Sequence, residues 1–275
     1  MTQYRKYGLL GRRLGHSLSP QIHELIFKYT ELRGEYKLYP MEPEAVEAFV
    51  KTLKAQGFDG LNVTIPYKNT VMPYLASISK EAQKIGSVNT ILPKEGALEG
   101  YNTDYFGVQK MLGAAGIDPS GKKVMVLGSG GSAKTVVALL KDSDCADIEL
   151  ISRDKARAAA KFPDIKTAQY DELRENHGYD ILINTTPVGM YPDTDACPLE
   201  DDIIKGFDAV ADLIYNPSQT VLIKKAAEFG ARTVNGLYML VSQAVAAQEI
   251  WNSIKIEDNV IDMIFDGVRG MAHGA

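Results

Sequence analysis

Val124-Met125-Val126-Leu127-Gly128-Ser129-Gly130-Gly131-Ser132-Ala133 decides the reading of this chain. An apolar run gives way to glycines and then to the helical pattern of Ala133–Leu140, so strand, tight turn and helix are predicted in succession. The turn fits G-x-G-x-x-A. Gly128 permits the tight turn, Gly130 lets a pyrophosphate approach the backbone, and Ala133 allows close helix–strand packing. Ser129, Gly131 and Ser132 fill the turn, and the helix start adds unpaired N–H groups and a positive dipole end. A glycine turn without a ligand, or one that holds a methyl donor, shares the pattern. The strand–turn–helix context favours a dinucleotide.

Outward from that turn the rhythm continues. Strands are predicted at Ile148–Ile151, Ile181–Asn184 and Ala209–Leu213, at intervals that leave room for crossover helices. This alternation predicts an α/β fold whose parallel sheet has helices on both faces. A helix over Leu237–Ile250 carries an apolar stripe at Leu237, Leu240, Val241, Ala244 and Trp251. The first hundred residues read differently. A strand at Tyr7–Leu10, a helix from about Pro20, a strand at Leu61–Ile65 and a hairpin of Val88–Leu92 with Ala97–Tyr101 about Pro93–Gly96 are predicted. Two domains are expected.

Composition narrows the classes. The chain has 275 residues, is 45% hydrophobic and 24% charged, and carries a net charge of -5. A chain this apolar can bury enough surface to fold. Its slightly acidic balance argues against broad nucleic-acid binding. No apolar run approaches the roughly 18 residues of a membrane span, and the first residues lack the apolar core of a secretion signal. Cys145 and Cys197 show neither metal-ligand spacing nor a disulfide framework. A soluble cytoplasmic protein without metal, nucleic-acid or membrane partner is the expectation.

The end of the second strand of the glycine-turn half bears on cofactor choice. An NAD site wants an acid there to accept from the ribose 2′-hydroxyl. Ser152 stands at that place, and Arg153 and Arg157 can clamp a 2′-phosphate. Asp154 would repel that phosphate if it faced the site, or it can cap the next helix. NADP is favoured, with NAD left open.

Two segments of the first half suggest chemistry. In His16-Ser17-Leu18-Ser19-Pro20, Ser19 is read as a helix N-cap and His16 as a loop histidine, while two hydroxyls beside a helix start suit a carboxylate ligand. In Asn62-Val63-Thr64-Ile65-Pro66-Tyr67-Lys68, alternation places Asn62 and Thr64 on one strand face and Lys68 beyond the strand end. Asn89 lies in Ser87-Val88-Asn89-Thr90 and Asp104 ends Asn102-Thr103-Asp104. Lys68 and Asp104 meeting in a cleft would form a proton-handling pair, and Asp104 also reads as a helix N-cap.

These motifs, with Asn184-Thr185-Thr186-Pro187-Val188-Gly189-Met190, Asp212-Leu213-Ile214-Tyr215-Asn216-Pro217 and Gly236-Leu237-Tyr238 through Ser242-Gln243, occur colinearly over nearly the whole chain. In this order the sequence resembles the shikimate dehydrogenase family. The resemblance implies NADP-linked reduction of 3-dehydroshikimate to shikimate, a step towards chorismate and the aromatic amino acids. It implies a substrate domain of residues 1–104 and 237–275 and a Rossmann-like, doubly wound cofactor domain of residues 105–236. Lys68 matches the catalytic lysine and Asp104 its partner; Ser17 and Ser19 match the carboxylate-binding pair. Thr64, Asn89, Tyr215 and Gln243 match further substrate contacts, and Leu213 and Gly236 match the lining of the nicotinamide site. The family includes quinate/shikimate dehydrogenases, and a non-enzymatic shikimate-binding regulator is the reading from another class; a monomer or a homodimer fits either. Three positions depart from the family pattern. Ser152-Arg153-Asp154 replaces the usual N-R-T, Lys80 stands where an acid is common, and Tyr238 where glycine is frequent.

Overall fold

The computed structural model describes residues 4–15, 17–173 and 178–272; His16 lies outside them. The chain divides into one unit of residues 1–107 with 241–275 and a second of residues 108–240, the divisions falling inside two helices.

The first unit begins with β1 (Tyr4–Gly11), α1 (Ser19–Tyr29), β2 (Arg33–Pro40), α2 (Pro43–Lys51) and β3 (Gly60–Val63). It continues through β4 (Ser77–Ile78), α3 (Lys80–Ile85), β5 (Thr90–Lys94), β6 (Ala97–Tyr101) and α4 (Thr103–Ala114). Its sheet runs β2-β1-β3-β5-β6-β4, parallel from β2 to β3 and antiparallel across β3, β5 and β6. One apolar layer joins Val46, Phe49, Val50 and Leu53 to Leu61, Val63 and Ile91. A second layer packs Tyr7, Leu9 and Tyr36 against Ala247 and Trp251 of the returning chain. That layer explains the glycine at the head of β3: a Cβ on Gly60 would lie 2.3 Å from the Trp251 ring. The indole N–H of Trp251 donates to the Ile91 carbonyl at 2.9 Å.

Several local expectations need correction. α1 is capped by the position of Leu18, so Ser19 is its first residue and not its N-cap. The Ser17 hydroxyl accepts from the Ser19 N–H at 3.3 Å, which leaves the Ser19 hydroxyl turned to other partners. β3 stops at Val63 because the Thr64 carbonyl accepts from the Tyr67 N–H and starts a turn. Ile65 is therefore 77% exposed and does not share the buried face of Val63. The hairpin turn is only Glu95-Gly96, with Gly96 at φ 74, so Pro93 and Lys94 belong to β5, and Val88 and Asn89 precede it. α4 starts at Thr103, with the Asn102 carboxamide oxygen accepting from the Asp104 N–H at 3.1 Å. Asp104 thus lies inside the first turn, and its carboxylate is free of capping duty.

The second unit contains β7 (Lys123–Leu127), α5 (Gly131–Asp142), β8 (Asp147–Ile151), α6 (Lys155–Lys161), β9 (Lys166–Ala168) and β10 (Ile181–Asn184). α7 (Asp201–Ile204), β11 (Ala209–Asp212), α8 (Val221–Glu228) and β12 (Arg232–Asn235) follow, and α9 (Leu237–Asn252) leads back to the first unit and α10 (Asp258–Ala272). All pairings are parallel, in the order β12-β11-β10-β7-β8-β9. Taken from β9, the order within the unit is 3-2-1-4-5-6, the doubly wound arrangement. Ile181–Asn184 and Ala209–Asp212 are buried at every residue, as strands covered on both faces must be. Their last residues, Asn184 and Asp212, are polar. They mark the carboxyl edge.

Candidate functional site

In the second unit the strand order reverses between β7 and β10, and the crevice outside the carboxyl ends of such strands is where doubly wound sheets bind ligands. The glycine turn sits there. Gly128 has φ 99, and a Cβ on it would lie 2.8 Å from the Thr185 hydroxyl, so both conformation and space require glycine. Gly130 is the N-cap of α5 and has no side chain with which to satisfy the first N–H groups. A Cβ on Gly130 or Gly131 would meet nothing within 4 Å, which leaves open space over the start of α5. Open space, unsatisfied donors and a positive helix end fit a pyrophosphate. Ser132 is exposed beside this opening and Ala133 is buried against the sheet.

At the end of β8 the hydroxyls of Ser152 and Ser129 lie 3.1 Å apart, which ties this strand end to the turn. Asp154 is the N-cap of α6, its Oδ1 accepting from the Arg157 N–H at 2.9 Å, so the capping expectation for this acid holds. Arg153 and Arg157 are exposed. The Lys161 ammonium donates to the Ser129 carbonyl at 3.2 Å, a cation at the turn that sequence reasoning missed. These groups suit a 2′-phosphate. On the far side of the turn, Gly236 has no room for a side chain, since a Cβ would fall 2.0 Å from the Leu213 carbonyl oxygen. Tyr215 also belongs to this unit, half-buried after β11, and burial raises its phenol.

In the first unit the structure brings Lys68 and Asp104 together. The Lys68 ammonium donates to Asp104 Oδ2 at 2.5 Å, with side chains 27% and 17% exposed, so the pair is sheltered but reachable. Asp104 Oδ1 accepts from Asn89 Nδ2 at 2.9 Å. Asn89 is held in turn by the Thr103 N–H, which donates to its Oδ1 at 2.7 Å. The Thr103 hydroxyl lies 3.5 Å from Gln243 Oε1, which brings α9 to the same cluster. Thr64 is half-buried at the turn before Lys68. Ser17 donates to the Ser19 hydroxyl at 3.1 Å, so those two form their own pair. Burial drives the Tyr36 phenol strongly upward, opposed by the neighbouring Ser19 hydroxyl. Sequence reasoning missed Tyr36, Thr90 and Thr103 as parts of the site. Thr90 and Thr103 stand beside Asn89 and Asp104 in motifs already noted; Tyr36 gives no signal.

Among the described residues no group of three His, Cys, Asp or Glu side chains could hold a metal. None of the described helices is long and apolar enough to cross a membrane.

A doubly wound sheet with a glycine turn at its switch point, in a chain whose other unit holds a sheltered lysine–aspartate pair, defines the class: a two-unit α/β protein with a dinucleotide-binding sheet. Comparison with known proteins narrows it. Residues 9–91 match the shikimate dehydrogenase substrate binding domain. The chain is 46% identical over 265 residues to the NADP(+) shikimate dehydrogenase of Clostridium perfringens strain SM101, covering 96% of this chain and 98% of that protein. It superposes on a chorismate mutase/shikimate 5-dehydrogenase fusion protein from Clostridium acetobutylicum with a TM-score of 0.95 at 42% identity, over 98% of this chain and 99% of that one. The Thermus thermophilus shikimate 5-dehydrogenase in complex with NADP(H) and shikimate gives a TM-score of 0.84 at 30% identity, over 95% and 98%. The chain belongs to the shikimate dehydrogenase family.

Proposed function

We propose that this chain catalyses the reversible NADP-linked reduction of 3-dehydroshikimate to shikimate, on the path to chorismate. The observation that carries this is the Lys68–Asp104 pair, 2.5 Å apart and braced by Asn89, in a chain whose relatives bear that activity in their names. NADPH, when bound, supplies the hydride. Lys68 donates a proton from its ammonium to the oxygen of the carbonyl being reduced, and in the reverse direction the amine takes that proton back. Asp104 accepts from Lys68 through Oδ2, which aims the ammonium. Its Oδ1 is held by Asn89, so the carboxylate cannot turn away. The hydroxyls of Ser17 and Ser19 hold the substrate carboxylate, and Thr64, Asn89 and Gln243 meet the ring hydroxyls. In the other unit, residues 128–133 cradle the pyrophosphate, Leu213 and Gly236 line the nicotinamide site, and Ser152, Arg153 and Arg157 take the 2′-phosphate. Cys145 and Cys197 are free thiols raised by burial, which suits a reducing cytoplasm.

The test compares rates with shikimate and quinate, each with NADP and NAD. Shikimate with NADP is expected to be fastest. Replacing Lys68 by Ala should lower kcat by about 10²–10⁴-fold, the worth of one acid–base group, with a smaller change in KM. A Lys68→Ala enzyme with near-normal kcat would overturn the assignment.

A further inference from the structure

Behind the lysine–aspartate pair lies a chain of buried hydrogen bonds whose two amide links are oriented by the backbone. Two backbone groups set that orientation. The Thr103 N–H can only donate, and it meets one end of the Asn89 carboxamide at 2.7 Å, so that end is the oxygen. The Asn89 carbonyl can only accept, and it meets one end of the Asn62 carboxamide at 3.2 Å, so that end is the nitrogen. With both amides oriented, the hydroxyl protons follow. Asn62 Nδ2 donates to the Thr90 hydroxyl at 3.0 Å, and the Thr90 proton has the shorter of its two bonds to Asn89 Oδ1 at 2.9 Å, the other partner being the Thr103 hydroxyl at 3.2 Å. Asn62 Oδ1 has to receive a proton, and the Tyr36 O–H supplies it at 2.8 Å. Asn89 Nδ2 passes the order to Asp104, where Lys68 donates from the other side.

Every link behind Asp104 is dry. Thr90 and Thr103 are 0% exposed, Asn89 3%, Asn62 5% and Tyr36 9%, so water cannot replace a lost partner. The Tyr36 ring is itself fixed. His23 stacks on it at 3.8 Å with an interplanar angle of 10°, and His23 is anchored by Gln248 of α9 at 2.9 Å. Burial holds the imidazole down at about 3, so it is neutral and adds no charge.

We infer that Tyr36 and Thr90 are positioning residues for the reaction: through Asn62 and Asn89 they lock the Asp104 carboxylate in the orientation that aims Lys68. The inference rests on the function proposed above for Lys68 and Asp104. Tyr36 bonds Asn62, and Thr90 bonds Asn62 and Asn89, so each reaches Asp104 through those amides. Each acts by holding Asn62 and Asn89 in the rotamers whose amide ends the two backbone groups orient.

The experiment uses Tyr36→Phe, Thr90→Val, Thr90→Ser and the Tyr36→Phe/Thr90→Val double variant of the full chain. Tyr36→Phe is expected to lower kcat about 3–10-fold and Thr90→Val about 10-fold or more, with KM for shikimate changed less than about twofold. Thr90→Ser, which keeps the hydroxyl, is expected to restore most of the rate. Because both substitutions cut one chain, the double variant should be no slower than the worse single variant, not the product of the two. A second readout needs no substrate. Acylation of Lys68 by acetic anhydride, read by peptide mass spectrometry against exposed Lys255, should quicken several-fold in Tyr36→Phe and Thr90→Val. Unchanged kcat and unchanged Lys68 labelling in folded variants overturn the inference, as do multiplying rate losses or a Thr90→Ser enzyme as slow as Thr90→Val. If wild-type protein does not turn over shikimate, the proposed function fails, and the labelling still decides whether Tyr36 and Thr90 hold the pair.

Discussion

Asp212 shows what a single buried acid does in this protein. It ends β11 with no exposure and accepts three hydrogen bonds, from Asn184 Nδ2 at 3.0 Å, the Ile214 N–H at 3.1 Å and the Thr220 hydroxyl at 2.7 Å. Those bonds join the end of β10, the segment after β11 and the start of α8. Burial pushes the carboxyl from its ordinary 3.8 up to about 6, with the three donors opposing the rise. The folded state therefore keeps a proton that the unfolded chain has released. Its contribution is full below the unfolded value and is lost as pH rises through about 6. The stability of wild type relative to Asp212→Asn should fall by about 3 kcal/mol between roughly pH 3 and pH 7 and stay level above. Urea unfolding across that range checks it. A gap independent of pH would show that Asp212 titrates alike in the folded and the unfolded chain.

The junction of β8 and α6 concentrates the cofactor question in one element. Asp154 spends its Oδ1 on the Arg157 N–H at the start of α6, so its charge is partly answered by the helix end. Arg153 is left exposed, with Gln169 donating to its carbonyl at 3.2 Å, which steadies the backbone beneath the guanidinium. Arg153→Ala should raise KM for NADPH more than tenfold, a loss above roughly 1.4 kcal/mol, and leave NADH almost unaffected. Equal losses with both cofactors would mean that Arg153 packs on the adenosine without sensing the 2′-phosphate. Elements of this half were legible because physics writes them locally. A strand buried on both faces is an unbroken apolar run, a tight turn needs glycine, and an acid before a helix is a cap. The first half hid more. Tyr36 finds Asn62 across 26 positions and Asn62 finds Thr90 across 28, and no short-range pattern encodes such pairs. Ser19 and Asp104 misled for a related reason: each has the chemistry of a cap, and each is taken up by a different partner.

At the scale of the whole molecule, each unit carries a core of its own. Met125, Leu182, Val210 and Leu222 centre one, and Leu10, Leu61, Val63 and Ile91 centre the other. The first unit is discontinuous: Ala247 and Trp251, from the chain's return, pack on Tyr7, Leu9 and Tyr36. A ligand that binds only the folded form stabilises what it touches by RT ln(1 + [L]/Kd), about 2.7 kcal/mol at 100 times Kd. Two separate cores allow that stabilisation to be local, because sub-global opening follows cooperative units rather than the whole chain. NADP+ alone should slow amide hydrogen exchange by up to about 100-fold in residues 124–133 and 148–157. Shikimate alone should instead slow it in residues 60–68 and 88–104. Mass-resolved exchange on the intact protein, with each ligand singly, reads the two patterns side by side. Should NADP+ protect residues 88–104 as strongly as its own turn, the two cores open as one cooperative block. That result would also move the Tyr36–Asn62–Thr90–Asn89 chain from a local brace of Asp104 to a part of a transition the entire protein makes.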